Sequence, residues 1–478
     1  MHIFHDLLIV DDIYPSSFSP FRTVEYNHYL SFFDTAVLTM EGSQLWIENT
    51  KFQDHIRALT VPAESKARIY PFRTHHDIGA KLAYVTFLGN AFKLLPYFAA
   101  RQLPFILQLY PGGGFAIDQP DVDEKLRQVL LHPLCRKVIT TQTITQRYIV
   151  EKIGCDPAKI EFIFGGVFDS RIDFDFHQDK KTYPRDKPHI DICFVAHKYG
   201  TDVVSKGFDY FVRVARALLP RFPDTRFHVV GDYSATDVDL DEAGGSFTFH
   251  GRQGPEFFAR FYAGMDAIIS FNQPFVLMPG AFDGFPTGAC LEAGFRGVAN
   301  LINDPLKLNA EFVDGRDVLL LDEDFDRSLA RITALLEDPQ ALMALGVGTW
   351  RSFHRVMDLD RQLWARSRII GRELARGQSL VSLGYAPRSA IDGEPLRLLT
   401  ESMRQRITDL EQLVAISTAG VGADRDRIDA LEARGAALAQ EVQYWRLTAE
   451  RLGRSISNRI FEKTKSVVRR FVKRTTSA

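Results

Sequence analysis

The sequence predicts an α/β protein of two parallel-sheet, Rossmann-like domains facing a cleft, continued by a C-terminal coiled coil and a basic amphipathic helix. Three observations predict it. A chain of 478 residues is too long for a single core. Short, nearly continuous apolar runs alternate with helical patterns from residue 1 to about 185, and the alternation restarts near Asp191. Beyond the linker expected at 377–395, apolar residues recur every three and four positions.

The expected strands of the first domain, residues 1–185, are 6–11, 34–40, 83–87, 104–110, 137–141 and 160–167. Being apolar on both faces, they read as buried and parallel. The first empties into Tyr14-Pro15-Ser16-Ser17-Phe18-Ser19-Pro20, too rich in Pro and Ser for regular structure, ahead of a helix at 24–33. In a parallel sheet the ligand crevice lies outside the carboxyl ends of the strands, where this loop and its Arg22 fall. Tyr110 ends another strand and leads into Pro111-Gly112-Gly113-Gly114, a run that either lets backbone amides approach a ligand or simply makes a turn.

In the second domain, 186–376, strands are expected at 191–196, 227–231, 247–251, 267–271, 298–302 and 318–321, with helices between most of them. The loop after the first carries His197, Lys198 and Lys206, and precedes a helix whose apolar positions begin at Phe208. The stretch 282–298 places one acid, Asp283, in a glycine-punctuated loop and another, Glu292, in a short apolar helix at about 288–295. Helical pattern then runs to Ala375.

In the segment 396–452, Ile407, Val414, Val421, Ile428 and Val442 alternate with Leu410, Leu431, Leu438, Trp445 and Leu452, a seam suited to a parallel dimer. Ser417, Asp424 and Gly435 interrupt it, and a broken helical pair is the alternative. In 453–478, Arg454, Arg459, Lys463, Lys465, Arg469, Arg470, Lys473 and Arg474 face one Glu462, with Ile456, Ile460, Val467, Val468 and Phe471 on one helical face. Such a helix lies on an anionic membrane surface; the alternative is a solvated end.

Composition narrows the function classes. A formal charge of −2 gives no basic field for nucleic acid. Cys135, Cys155, Cys193 and Cys290 are far apart, with neither metal nor disulfide spacing, and read as buried small hydrophobes in a reducing compartment. Neither a basic leader nor an apolar run of about 18 residues is present, so the expected location is cytoplasmic. There is no G-x-G-x-x-G after a first strand and no G-x-x-x-x-G-K-[ST], which removes most support for dinucleotide redox and P-loop chemistry. Asp121-Val122-Asp123 and Asp237-Val238-Asp239 lack a strand leading into them and read as surface charge, so no metal is expected. Cations suit a diphosphate and carboxylates suit sugar hydroxyls.

These residues carry a resemblance. The second half is similar to the nucleotide-sugar domain of GT-B retaining glycosyltransferases with an E-x7-E signature (glycosyl transferases group 1). The first half resembles their acceptor domain, notably Cys155-Asp156-Pro157-Ala158-Lys159-Ile160 through Gly165-Gly166-Val167, and the likeness covers about residues 1–375. It implies that Lys206, in Ser205-Lys206-Gly207, binds the donor diphosphate, with His197 where the family has an arginine and Lys198 as a substitute. It implies that the backbone at Phe249-His250-Gly251-Arg252 reads the base and that Glu292 bonds the ribose hydroxyls. Asp283, with Gly284 and Phe285, stands for the first glutamate, which meets the transferred sugar. Arg22, Tyr110 and Gly112, Gly113, Gly114 fall on the acceptor side.

Two departures stand out. Asp283 is one methylene shorter than glutamate and lies nine, not eight, positions before Glu292. The N-terminal loop lacks the family's glycine pair, and Tyr110 sits where a histidine often precedes the glycines. The implied chemistry is metal-independent, hexosyltransferase-like transfer with retention. Lys206 would stabilise the departing diphosphate, Asp283 would position the sugar, and the amino end of the 288–295 helix would face the phosphate. The acceptor would be a saccharide or glycolipid in cell-surface polysaccharide synthesis, with a coil-mediated homodimer and no cofactor beyond the nucleotide-sugar substrate. The alternatives are a coiled-coil assembly protein with a non-catalytic sugar-nucleotide domain, or a sugar-nucleotide epimerase on the same fold.

Overall fold

The computed structural model describes residues 4–16, 19–40 and 52–378; the expected coiled coil, the basic tail and almost all of the linker lie outside them. Two parallel sheets organise the described chain. The first has seven strands, β1 (Phe4–Asp11), β2 (Thr35–Thr39), β3 (Ile69–Pro71), β4 (Gly79–Thr86), β5 (Phe105–Leu109), β6 (Cys135–Thr140) and β7 (Ile160–Phe162), in the order β3-β2-β1-β4-β5-β6-β7. Helices cover both faces. Val85, Leu107 and Val138 pack on one, whereas Leu7, Ile9, Tyr84 and Ile139 pack on the other. Burial on both faces is why these strands read as unbroken apolar runs.

Three local differences from the sequence expectation have simple causes. Strand β3 ends in Pro71 and is only three residues long, a form confined to sheet edges, and its brevity hid it. Strand β7 stops at Phe162 instead of running to 167, because Gly165 (φ +87°) turns the chain. The first helix starts at Pro20, four residues before the expected Val24. Proline takes the first helical turn, and the buried charges Arg22 and Glu25 masked the apolar stripe.

The second sheet has six strands, β8 (Asp191–Val195), β9 (Arg226–Val230), β10 (Phe247–Phe249), β11 (Ala267–Ser270), β12 (Ala299–Asn303) and β13 (Leu319–Leu321), ordered β10-β9-β8-β11-β12-β13. Every pairing in both sheets is parallel, so each strand returns through a crossover and the loops at the carboxyl ends gather on one edge. All four cysteines are buried and free.

The last described helix, Leu359–Gln378, leaves the second domain and packs on the first. Ile369 and Ile370 join the core of Tyr26, Tyr84 and Ile106. Arg366, fully buried, donates through Nε to Gln108 Oε1 (3.0 Å) and through Nη1 to Gln362 Oε1 (2.8 Å), and lies 3.7 Å from Glu25. Glu25 accepts from the Tyr29 and Tyr84 hydroxyls at 2.9 and 2.5 Å. Burial pushes the Glu25 carboxyl up, and Arg366 opposes that shift. Arg366 is the charge that offsets the burial of Glu25, whose Oε1 takes both tyrosine hydroxyls while Oε2 accepts no hydrogen bond. Among the described residues no helix is long and apolar enough to cross a membrane.

Candidate functional site

The loop between β8 and the Phe208–Leu218 helix delivers a cation to the crevice. Asp202 accepts from the amides of Val204 (3.0 Å) and Ser205 (3.1 Å), and its other oxygen takes the Ser205 hydroxyl. The Gln273 amide donates to Ser205 O at 2.9 Å. Gly207 follows at φ +76°, and a Cβ there would lie 2.2 Å from Phe271 O, so only glycine fits. The loop is therefore held from both sides, and Lys206 is its product.

Lys206 Nζ donates to both oxygens of Asp283, at 2.8 and 2.6 Å, and sits 5.5 Å above the Tyr199 ring. Two residues 77 positions apart are thus joined at the carboxyl edge of the sheet. Beneath Asp283 opens a small pocket, lined by Ser270, Asn272, Asp283, Thr287 and Asn303 together with apolar side chains such as Phe282, Phe285 and Leu308. Its polar wall is fixed from behind, because Asn303 Nδ2 donates to Asn272 O (2.9 Å) and Asn272 Nδ2 to Ser270 Oγ (2.8 Å).

The first domain closes the other side. A Cβ on Gly284 would meet Gln142 Nε2 at 3.2 Å and Pro111 Cγ at 3.8 Å. Gln142 Nε2 reaches Phe285 O at 3.5 Å, the Ile117 amide donates to Gly280 O at 2.9 Å, and Phe115 packs edge-on to Phe282. The Asp283 loop is clamped between the two sheets. Gln142 was not anticipated from the sequence, although it stands just beyond the carboxyl end of β6, where the rule that singled out Arg22 and Gly112 also applies.

The remaining candidates fall into distinct settings. His197 packs against Tyr199, and partial desolvation, with Arg252 and Lys206 nearby, draws its pKa down. Lys198 is committed to Asp237 at 2.6 Å and lies over the Tyr233 ring. Gly251 (φ +66°) has open space where a side chain would be, and its carbonyl accepts from the Gly231 amide at 3.0 Å. Arg252 forks onto Asp232 Oδ2 at 3.1 and 2.5 Å on the surface.

Glu292 sits in the Gly288–Gly294 helix, two turns long, whose Thr287 makes no side-chain cap bond. Burial raises its carboxyl, Arg296 opposes the shift, and the residue lies outside the pocket lining.

On the acceptor side Arg22 is buried and engaged. Its Nη1 donates to Asp11 at 3.0 Å and to Asp12 at 2.5 Å, with Phe87 stacked at 4.7 Å. Tyr110 is buried, its hydroxyl accepting from Arg366 at 3.4 Å. Gly112, Gly113 and Gly114 all have left-handed φ (81°, 57° and 89°), and Gly113 packs so closely on Phe87 that a Cβ would clash at 2.2 Å. Asp121 pairs with Lys125 and Asp123 accepts from Tyr148, while Asp237 holds Lys198.

No family model matches the chain, and no curated protein matches its sequence. Its fold has solved counterparts. HepE of Anabaena, determined in complex with UDP and glucose, superposes with a TM-score of 0.51 at 15% identity, covering 79% of this chain and 100% of that one. Sucrose-phosphate synthase of Thermosynechococcus elongatus gives 0.54 at 13% identity, covering 78% and 100%. A glycosyltransferase from Rickettsia africae gives 0.54 at 13%, covering 78% and 99%. The two parallel-sheet domains of this chain are those of the GT-B glycosyltransferase fold.

Proposed function

We propose that the protein is a retaining, metal-independent glycosyltransferase that moves a sugar from a nucleotide-sugar donor to a saccharide or glycolipid acceptor in cell-surface polysaccharide synthesis. One observation carries the reading: the Lys206 ammonium meets the Asp283 carboxylate, which lines a pocket at the carboxyl edge of the second sheet. In the unliganded crevice each neutralises the other. A donor diphosphate arriving beside Lys206 competes for that ammonium and frees Asp283 to accept from a sugar hydroxyl.

As the bond between sugar and diphosphate lengthens, negative charge grows on the leaving phosphate. A preorganised ammonium stabilises it by several kcal/mol, in the manner of other fixed donors aimed at developing charge. Lys206 is held for that task by the Asp202 turn and by Gly207. Lys206 is the principal charge of the scheme, since desolvation and the cations nearby disfavour a protonated His197. Glu292 is assigned to the ribose hydroxyls on the strength of the motif, and no metal or cofactor is required in this scheme. Dimerisation through 396–452, a cytoplasmic location and attachment through 453–478 belong to the same proposal.

A nucleotide panel read by thermal shift tests it. A nucleoside diphosphate or its sugar should raise Tm in the native protein, and Lys206→Ala should abolish most of the rise. Equal shifts in both proteins, or none with any nucleotide, would remove Lys206 from the proposed role. Turnover unchanged by EDTA is expected, whereas loss restored by a divalent cation would contradict metal independence. Conversion of donor in the absence of any acceptor would point to epimerisation instead.

A further inference from the structure

Large apolar side chains exposed singly are ordinary on protein surfaces, but a contiguous run is not. Among the described residues Phe4, Leu131, Phe162, Tyr199, Val313 and Met343 are such singletons, whereas Phe275, Val276, Leu277 and Met278 are consecutive and 40, 47, 41 and 60% exposed. They occupy the loop between β11 and Asp283, and their neighbour Pro274 lines the pocket. No charged residue occurs from Asn272 to Phe282.

The loop is held in shape. The Phe275 amide donates to Ala281 O at 2.7 Å and the Ala281 amide to Met278 O at 3.1 Å, while Gly280 O takes the Ile117 amide from the first domain. Phe275 has φ +68°, a conformation that non-glycine residues rarely adopt and that persists only where the surroundings enforce it. Gly280 (φ +72°) is irreplaceable because a Cβ would stand 2.0 Å from Ile117 O. A braced loop that strains its backbone while exposing four apolar side chains gains nothing in water.

The geometry points to a membrane-contacting finger: residues 275–278 insert into the interfacial region of a lipid bilayer and set the pocket mouth against it. A protein partner fits poorly. Four side chains fall well short of the roughly 800 Å² per partner that a stable interface buries, and this run has neither charge nor polar side chain to specify one. Interfacial partition needs only a few large apolar groups and no specific contact. The consequence for the acceptor, that it is lipid-linked and presented from the membrane, rests on the glycosyltransferase reading; the finger itself does not.

Because the four native cysteines are buried, Leu277→Cys in the full chain can be labelled selectively with an environment-sensitive fluorophore. With neutral phosphatidylcholine vesicles its emission should shift to the blue and be quenched by brominated acyl chains, whereas the same label at exposed Glu124→Cys should report water. Adding Phe275→Ser and Met278→Ser to the labelled protein should weaken partition by about tenfold or more, with the melting temperature checked for intact folding. A label at 277 that stays in water, or one whose shift survives both serines, overturns the finger. Nucleoside diphosphate binding measured on the same samples separates the two proposals: a shift without nucleotide binding defeats the glycosyltransferase reading alone, and nucleotide binding without a shift defeats the finger alone.

Discussion

At the scale of single residues the ion pair between Lys206 and Asp283 makes asymmetric predictions. Lys206→Ala removes a charge-assisted contact worth about 1.5–3 kcal/mol and should weaken nucleoside diphosphate binding roughly ten- to a hundredfold. Asp283→Ala deletes the competitor for that ammonium. Calorimetry should therefore show diphosphate affinity unchanged or tighter in Asp283→Ala while sugar transfer falls; a parallel loss of diphosphate affinity would mean that the carboxylate does not compete for Lys206. Gly207→Ala forces a Cβ against Phe271 O at a positive φ, so it should lower stability by about 1–3 kcal/mol. Lys206 was visible in the sequence because Ser205-Lys206-Gly207 is a local motif. Its bond to Asp283 was not, since joining positions 77 apart depends on two loops meeting at one sheet edge. Arg22 was likewise picked out by its position in the chain, whereas its ion pairs with buried Asp11 and half-exposed Asp12 had no local signature.

At the scale of elements, the Leu359–Gln378 helix holds the second domain to the first through groups that titrate. His28, on the Pro20–Phe32 helix, lies 2.9 Å from Ser367 Oγ, and burial brings its pKa down to about 4. The folded state thus binds fewer protons than the unfolded chain, where histidine titrates near 6.5. Stability is complete above pH 6.5 and is lost progressively as pH falls toward 4, by at most about 3 kcal/mol at 1.36 kcal/mol per unit. Denaturation curves at pH 7 and pH 4.5 should differ less in His28→Phe than in the native protein; an equal difference would show that other groups carry the acid sensitivity. Arg366→Met strands Glu25 as an unpaired buried charge and should cost about 3–5 kcal/mol, much of it recovered by adding Glu25→Gln. That helix was legible as a helix, but its docking partner was not, because the sequence pattern shows an apolar face without saying which sheet it covers.

At the scale of the whole molecule, the two-domain α/β architecture was legible because strands buried on both faces leave unbroken apolar runs. Elements that pack less were not: β3 is three residues at an edge, and nothing in the sequence marked the apolar run 275–278 as exposed, because exposure has no local signature. The coil and tail extend the argument beyond the described residues, and truncation after residue 395 should leave a monomer in sedimentation that still binds donor; a dimer would place the interface within the two domains. The most direct test of sugar transfer at the Lys206–Asp283 pocket is turnover of a nucleotide-sugar panel by the full chain and by Lys206→Ala. The native protein should release nucleoside diphosphate from one donor in an acceptor-dependent manner, and Lys206→Ala should be about a hundredfold slower. Release from no donor, or equal rates in the two proteins, would contradict the proposed function.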